Sequence, residues 1–219
     1  MTTSPLTIDV FSDVVCPWCF IGKRRLEKAI ALRPDMPVEV RYRPYFLNPW
    51  VPREGMSRVD YLTTKFGSPE RYEKIALRVA QAAANEGLTY NIGALARQPN
   101  TLDCHRLILW AGSIGKAAQV KQRLMEIYFS EGGDLSDRDV LAQAASDCGL
   151  DPVEVRNLLA SDADVAAVER AAKSAQEAGI DGVPFYVFGN VLAVSGAQAP
   201  DYLAGAIERA VNELAKSAA

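Results

Sequence analysis

Residues 12–25 read Ser12-Asp13-Val14-Val15-Cys16-Pro17-Trp18-Cys19-Phe20-Ile21-Gly22-Lys23-Arg24-Arg25. Two cysteines stand three positions apart, directly behind a run that reads as a strand. In Leu6-Thr7-Ile8-Asp9-Val10-Phe11 apolar residues occupy alternate positions, with further apolar residues between them, as in a largely buried strand. Ser12 or Asp13 can cap a following helix, and capping is a simpler role for Asp13 than relaying a proton to or from Cys19. Pro17 suits the first helical turn, where its missing N–H costs nothing and its φ is already helical. Cys19, Gly22, Leu26, Ala29 and Ile30 then recur at steps of three and four. Lys23, Arg24, Arg25, Glu27 and Lys28 fill most of the gaps, and Lys23 and Arg24 read as solvated charges. This is an amphipathic helix ending before Pro34.

That placement carries chemistry. Cys16 falls at a helix N-terminus, where unpaired N–H groups and the macrodipole favour an anion. Cys19 lies one turn on and on the same side, close enough for a disulfide without backbone movement. Cys16 is therefore expected to be the exposed attacking thiolate and Cys19 the shielded resolving thiol. Cys104 and Cys148 stand alone. A four-cysteine zinc ribbon needs two close pairs, and the single histidine, His105, excludes sites built from several imidazoles, so no metal is expected. Cys104 and Cys148 read as buried small hydrophobes, a second disulfide between them being the alternative.

Composition narrows the partners. The chain has 219 residues, and 49% hydrophobic with 23% charged residues is the balance of an ordinary globular protein. With 24 Lys plus Arg against 27 Asp plus Glu there is no basic footprint, so nucleic acid is not an expected partner. No apolar run approaches the roughly 18 residues of a membrane-crossing helix. The amino terminus lacks a basic start and an uninterrupted apolar stretch: its first basic residue is Lys23, and Asp9 and Asp13 break the run. The expected location is the cytoplasm, where a lone C-x-x-C at a strand–helix junction reads as a dithiol/disulfide redox pair.

The segment 12–25 resembles the active-site segment of the FrnE-like branch of the DsbA thioredoxin-like oxidoreductases. Pro99-Asn100-Thr101 with His105-Arg106-Leu107, Gly182-Val183-Pro184-Phe185 and Val194-Ser195-Gly196-Ala197-Gln198 extend the likeness over nearly the whole chain. The same fold carries 2-hydroxychromene-2-carboxylate isomerases and kappa-class glutathione transferases, which usually have Ser where this chain has Cys16. Retention of both thiols favours redox chemistry. The resemblance implies that Pro184 is cis and packs against the Cys16–Cys19 pair, leaving the backbone at Val183 free to pair with an extended substrate. It also places Asn100, Thr101 and His105 as candidate walls of the substrate groove. On chemistry alone Asn100-Thr101 is equally a helix cap, and His105 is more simply a packed or hydrogen-bonded helix residue than a base near Cys16. Backbone N–H groups around Ala197 and Gln198 could hold a carboxylate, of glutathione or of a peptide, or form a plain turn. Trp18 sits between the thiols. An indole cannot lend Cys16 the charge of a protonated histidine, so the pair is expected to be less strongly oxidising than relatives with His there.

Along the rest of the chain, Val38–Pro44 reads as a second strand and the turn-rich Asn48–Gly55 as a boundary. The pattern is then helical to about Gly179, with starts at Ser68-Pro69, Thr101, Ser136-Asp137 and Asp151-Pro152 and an alanine-rich helix over 163–178. Pro184–Phe188, Gly189-Asn190 and Val191–Val194 read as a hairpin, and a final helix runs from about Ala199 to Lys216. The expected fold is α/β: a DsbA-like thioredoxin fold whose N-terminal βαβ part (1–49) and C-terminal ββα part (180–219) flank a large all-helical insertion (50–179). The expected activity is that of a thiol–disulfide oxidoreductase acting on protein or small-molecule thiols and disulfides. No tightly bound cofactor is expected, and glutathione is a candidate redox partner. The alternative is a glutathione-dependent isomerase or transferase of the related type.

Overall fold

The computed structural model describes residues 5–217, so the outermost residues of the first and third expected segments, 1–4 and 218–219, lie outside it. Strand β1 (Leu6–Ser12) runs into helix α1 (Pro17–Ala31), which returns the chain to β2 (Val38–Pro44). β1 and β2 pair in parallel, which requires such a crossover helix. Leu6, Ile8 and Val10 point to one buried face of β1, following the two-residue period of a strand.

The middle of the chain holds α2 (Arg58–Phe66), α3 (Pro69–Asn85), α4 (Leu102–Gly112), α5 (Ala117–Glu126), α6 (Arg138–Asp147), α7 (Pro152–Ala160) and α8 (Val165–Glu177). Several starts carry the chemistry read from sequence. Ser68, Asp137 and Asp151 each accept a backbone N–H from the first turn, and Pro69 and Pro152 open their helices. This segment is not wholly helical, because β3 (Met56–Ser57) and β4 (Arg97–Gln98) form a two-residue antiparallel ladder. So short a pairing has no periodicity of its own to be read. α5 runs on into a π turn over Ile127–Glu131, which stacks Phe129 on Phe20 at a centroid distance of 5.3 Å.

β5 (Phe185–Phe188) and β6 (Leu192–Ser195) close the sheet, and α9 (Pro200–Ser217) ends the described chain. Gly189 and Asn190 both have positive φ, 56° and 59°, as a tight two-residue turn requires. The strand order is β2-β1-β5-β6, with β5 antiparallel to both β1 and β6. α1 and α9 cover one face through Leu26, Ala29, Leu203, Ile207 and Ala210. A second cluster joins the start of α1, from Val14 to Ile21, to apolar residues of α3 through α7. The first turn of α1 is thus wedged between the sheet and the helical segment. Among the described residues no helix is long and apolar enough to cross a membrane.

Gly22 sets how closely α1 approaches the hairpin. A Cβ there would lie 2.5 Å from the Tyr186 hydroxyl, 2.9 Å from Pro184 Cγ and 3.4 Å from Ala197 Cβ. Gly22→Ala is expected to destabilise the protein by about 1–3 kcal/mol, the usual cost of overpacking. Chemical denaturation checks this, and an unchanged midpoint would show that α1 can move outward freely.

Candidate active site

Cys16 is the N-cap of α1, in extended conformation (φ −89°, ψ 113°), and Pro17 is the first helical residue. The Cys16 carbonyl accepts the N–H groups of Cys19 (3.0 Å) and Phe20 (3.2 Å), so the two thiols stack one turn apart. Both are free thiols. The Cys16 thiol donates to the Val183 carbonyl at 3.5 Å, and the Val183–Pro184 bond is cis, as the resemblance implied. The Pro184 carbonyl is occupied by the Gly196 N–H at 2.8 Å, which ties the residue ahead of β5 to the end of β6.

Cys16 is not the exposed residue expected from sequence: it is 3% accessible, against 2% for Cys19. The helical segment packs over the start of α1, and Val14, Val15, Cys16 and Cys19 join one apolar cluster with Leu107, Ile108 and Phe129. Trp18, between the cysteines, is half-exposed at the rim. Burial, then the neighbouring Cys16 thiol, push the Cys19 thiol well above the ordinary cysteine range. Cys104 is fully buried on α4 and burial raises its thiol as well; Cys148, at the end of α6, is partly buried.

Asp13 does not cap α1, and Ser12 is buried with its hydroxyl unpartnered. The fully buried Asp13 carboxylate turns away from the helix, accepting the Leu47 N–H (2.9 Å) and lying 3.3 Å from His105 Nε2. His105 is a packed, hydrogen-bonded residue of α4, edge-on to Phe46. Asn100 acts as a cap: its Oδ1 accepts the Leu102 N–H (3.0 Å) and its Nδ2 donates to the Val51 carbonyl (2.8 Å), whereas the Thr101 side chain makes no capping bond. Asn100 and Thr101 line a cleft with Phe46 and Asn48, and His105 lines a different one with Tyr42 and Leu109. The structure therefore does not gather these three into one wall. The Ala197 carbonyl accepts from Arg25 (2.6 Å), and the Gln198 N–H donates to Gly196 (2.9 Å). Lys23 is buried rather than solvated, bonded to Glu27 one turn on.

Three polar residues escaped the sequence reading. Lys65 of α2 donates to Asn48 Oδ1, while the Asn48 Nδ2 stays unpartnered and buried. Partial burial lowers the Lys65 ammonium, and Cys16 and Asp13, within its electrostatic reach, pull it the other way. Lys121 of α5 is buried under the same site. Asn48-Pro49 carried only a turn signal, and neither lysine stands in a motif, so sequence alone had no means to find them. Among the described residues no group of three or more His, Cys, Asp or Glu side chains could hold a metal ion.

With the geometry in place, comparisons supply a context. The family described as DSBA-like thioredoxin domain matches residues 7–208. The structure of a "probable DsbA oxidoreductase" from Streptomyces coelicolor is similar at 32% identity and a TM-score of 0.87, over 95% of this chain and 91% of that one. The uncharacterized protein YwbO of Bacillus subtilis is 27% identical over 201 residues, 91% of this chain and 94% of its own. The cytosolic disulfide reductase DsbM of Pseudomonas aeruginosa, solved with GSH, shares the fold at 18% identity and a TM-score of 0.68, over 94% of this chain and 99% of that one.

Because burial holds Cys19 and Cys104 protonated, brief alkylation of the folded, reduced protein at neutral pH should modify Cys16 before either. Peptide mass mapping reads the order, and Cys19 labelled first would contradict the assignment.

Proposed function

We propose that this chain, which belongs to the family of DSBA-like thioredoxin domains, is a thiol–disulfide oxidoreductase working through Cys16 and Cys19. The observation that carries the reading is the stacking of the two thiols at the start of α1, with the Cys16 sulfur 3.5 Å from the Val183 carbonyl. Cys16, as thiolate, attacks one sulfur of a substrate disulfide. The substrate S–S bond breaks, one thiolate leaves, and a mixed disulfide remains on Cys16. Cys19 then attacks the Cys16 sulfur, the second substrate thiolate leaves, and the protein carries the Cys16–Cys19 disulfide. Two electrons have passed to the substrate, and the reverse sequence oxidises a dithiol.

The surroundings support substrates that are extended or carry a carboxylate. Pro184 has no N–H, so the backbone beside Val183 can receive an extended chain without a competing donor. The ammonium of Lys65 lies within electrostatic reach of Cys16 and suits a carboxylate. Glutathione fits that description, and DsbM of Pseudomonas aeruginosa was solved with GSH. We place the protein in the cytoplasm on the same likeness, DsbM being a cytosolic disulfide reductase. Asn100, Thr101, Ala197 and Gln198 remain our candidates for the outer walls of the groove.

Cys16→Ser should abolish reduction of insulin disulfides, and Cys19→Ser should retain the first attack and accumulate the mixed disulfide with substrate. A Cys16→Ser protein that keeps a glutathione-dependent isomerase activity would instead assign the site to isomerase or transferase chemistry. A titration of the wild-type pair in glutathione redox buffer should give a potential well below about −120 mV, the value of the strong oxidant of this superfamily, because Trp18 lends Cys16 no charge. A potential at that value would overturn the assignment of Trp18.

A further inference from the structure

Lys121 is 1% exposed, and its Nζ has no hydrogen-bond partner among the described residues. An ammonium left so is costly, and a lysine on a helix normally carries its charge out to water. Lys121 is held inward, with Nζ 5.3 Å from the centroid of the Tyr42 ring. Tyr42 packs against it from β2, and Cys19, Asp13, Lys23 and Cys16 of the β1–α1 segment and Cys104 of α4 lie within its electrostatic reach. Two of the nearby charges are already engaged: Asp13 by the Leu47 N–H and His105, and Lys23 by Glu27. On the α6 side Asp147 pairs with Arg123. Burial lowers the Lys121 ammonium from its ordinary 10.5 to about 8, and Cys19 is the strongest influence in the opposite direction, ahead of Asp13.

We propose that Lys121 is a positioning residue for the second half of the exchange, its ammonium being the counter-charge for the Cys19 thiolate. The inference rests on the dithiol reading and assigns a residue that reading does not use. Cys19 must lose its proton to solvent before it attacks Cys16. In the opposite direction Cys19 leaves with the electron pair of the broken Cys16–Cys19 bond. Either way a negative sulfur forms in surroundings that oppose charge. The N–H groups of Lys121 have no competing acceptor among the described residues, and the Tyr42 ring holds the ammonium by its face without neutralising it. Donors fixed in advance where charge will develop act strongly in a dry site.

The test is a single turnover of the reduced full chain with dithiobis(nitrobenzoate). The first thionitrobenzoate released reports attack by Cys16, and the second reports attack by Cys19. In Lys121→Met, which keeps length and an apolar fit, the second release should slow by about tenfold or more while the first changes little. The pH at which the second phase is half-maximal should rise, and Lys121→Arg, which keeps a cation, should restore much of the rate. An unchanged second phase in Lys121→Met overturns the proposal. So does a second phase slowed equally in both variants with an unaltered pH profile, which marks a packing role. Should Lys121→Met fail to fold, NMR titration of the Lys121 ammonium in the native protein and in Cys19→Ala decides. A midpoint that moves on removal of Cys19 supports the proposal, and one that stays overturns it. If the wild-type protein releases no thionitrobenzoate from Cys16, the dithiol reading itself fails and takes this inference with it.

Discussion

The approach of α1 to the backbone at Val183–Pro184 is the contact on which the rest of the site depends. It is possible because residue 22 has no side chain to hold the helix off Tyr186 and Pro184. With the helix that close, the thiol at its N-cap meets the Val183 carbonyl instead of solvent. Arg25, one turn below, fastens the arrangement from the other side: it donates to the Ala197 carbonyl and pairs with Glu86 at the end of α3. The hairpin, the first helix and the helical segment thereby share one fixed corner. Because that corner is built from packing and charge-assisted hydrogen bonds, the two sulfurs hold their separation on rigid elements rather than on loops.

The helical segment changes the electrostatics of that corner. A cysteine at the start of an isolated helix would sit in water, where dipole and charge effects are weak. Here Val14, Val15 and both cysteines are enclosed by residues of α3 through α7, and the same enclosure traps Asp13, His105 and Lys121. In such surroundings each interaction is stronger, and each unpaired group is more costly to keep. The Asp13 carboxylate is satisfied by a backbone N–H and a histidine. The Lys121 ammonium is not satisfied by any acceptor among the described residues. Burial and the neighbouring Cys16 thiol push the Cys19 thiol well above its ordinary range, and the unsatisfied Lys121 ammonium lies within its electrostatic reach.

Much of this was legible in residue order because the signals are local. The alternation in Leu6–Phe11, the proline behind Cys16, the three- and four-residue recurrence to Ile30 and the Gly189-Asn190 turn each report a backbone conformation set by near neighbours. The caps at Ser68, Asp137 and Asp151 are of the same kind. Ser12 and Asp13 had an equally good local signal, and there it misled. A carboxylate that can cap a helix can also accept the Leu47 N–H from 34 residues away, and the tertiary partner prevailed. The two-residue β3–β4 ladder had no local pattern at all.

By itself, then, the order of residues determined where the redox-capable pair lies, which element carries it and which strands surround it, since each follows from the conformation of a few consecutive residues. The tertiary structure alone decided how buried Cys16 is, that Asp13 answers to His105, and that Lys65 and Lys121 attend the thiols from helices 49 and 105 positions downstream of Cys16. Those relations depend on which side chains meet when the helical segment folds back over α1. No short-range rule of spacing encodes such meetings, because they are set by packing between elements far apart in the chain.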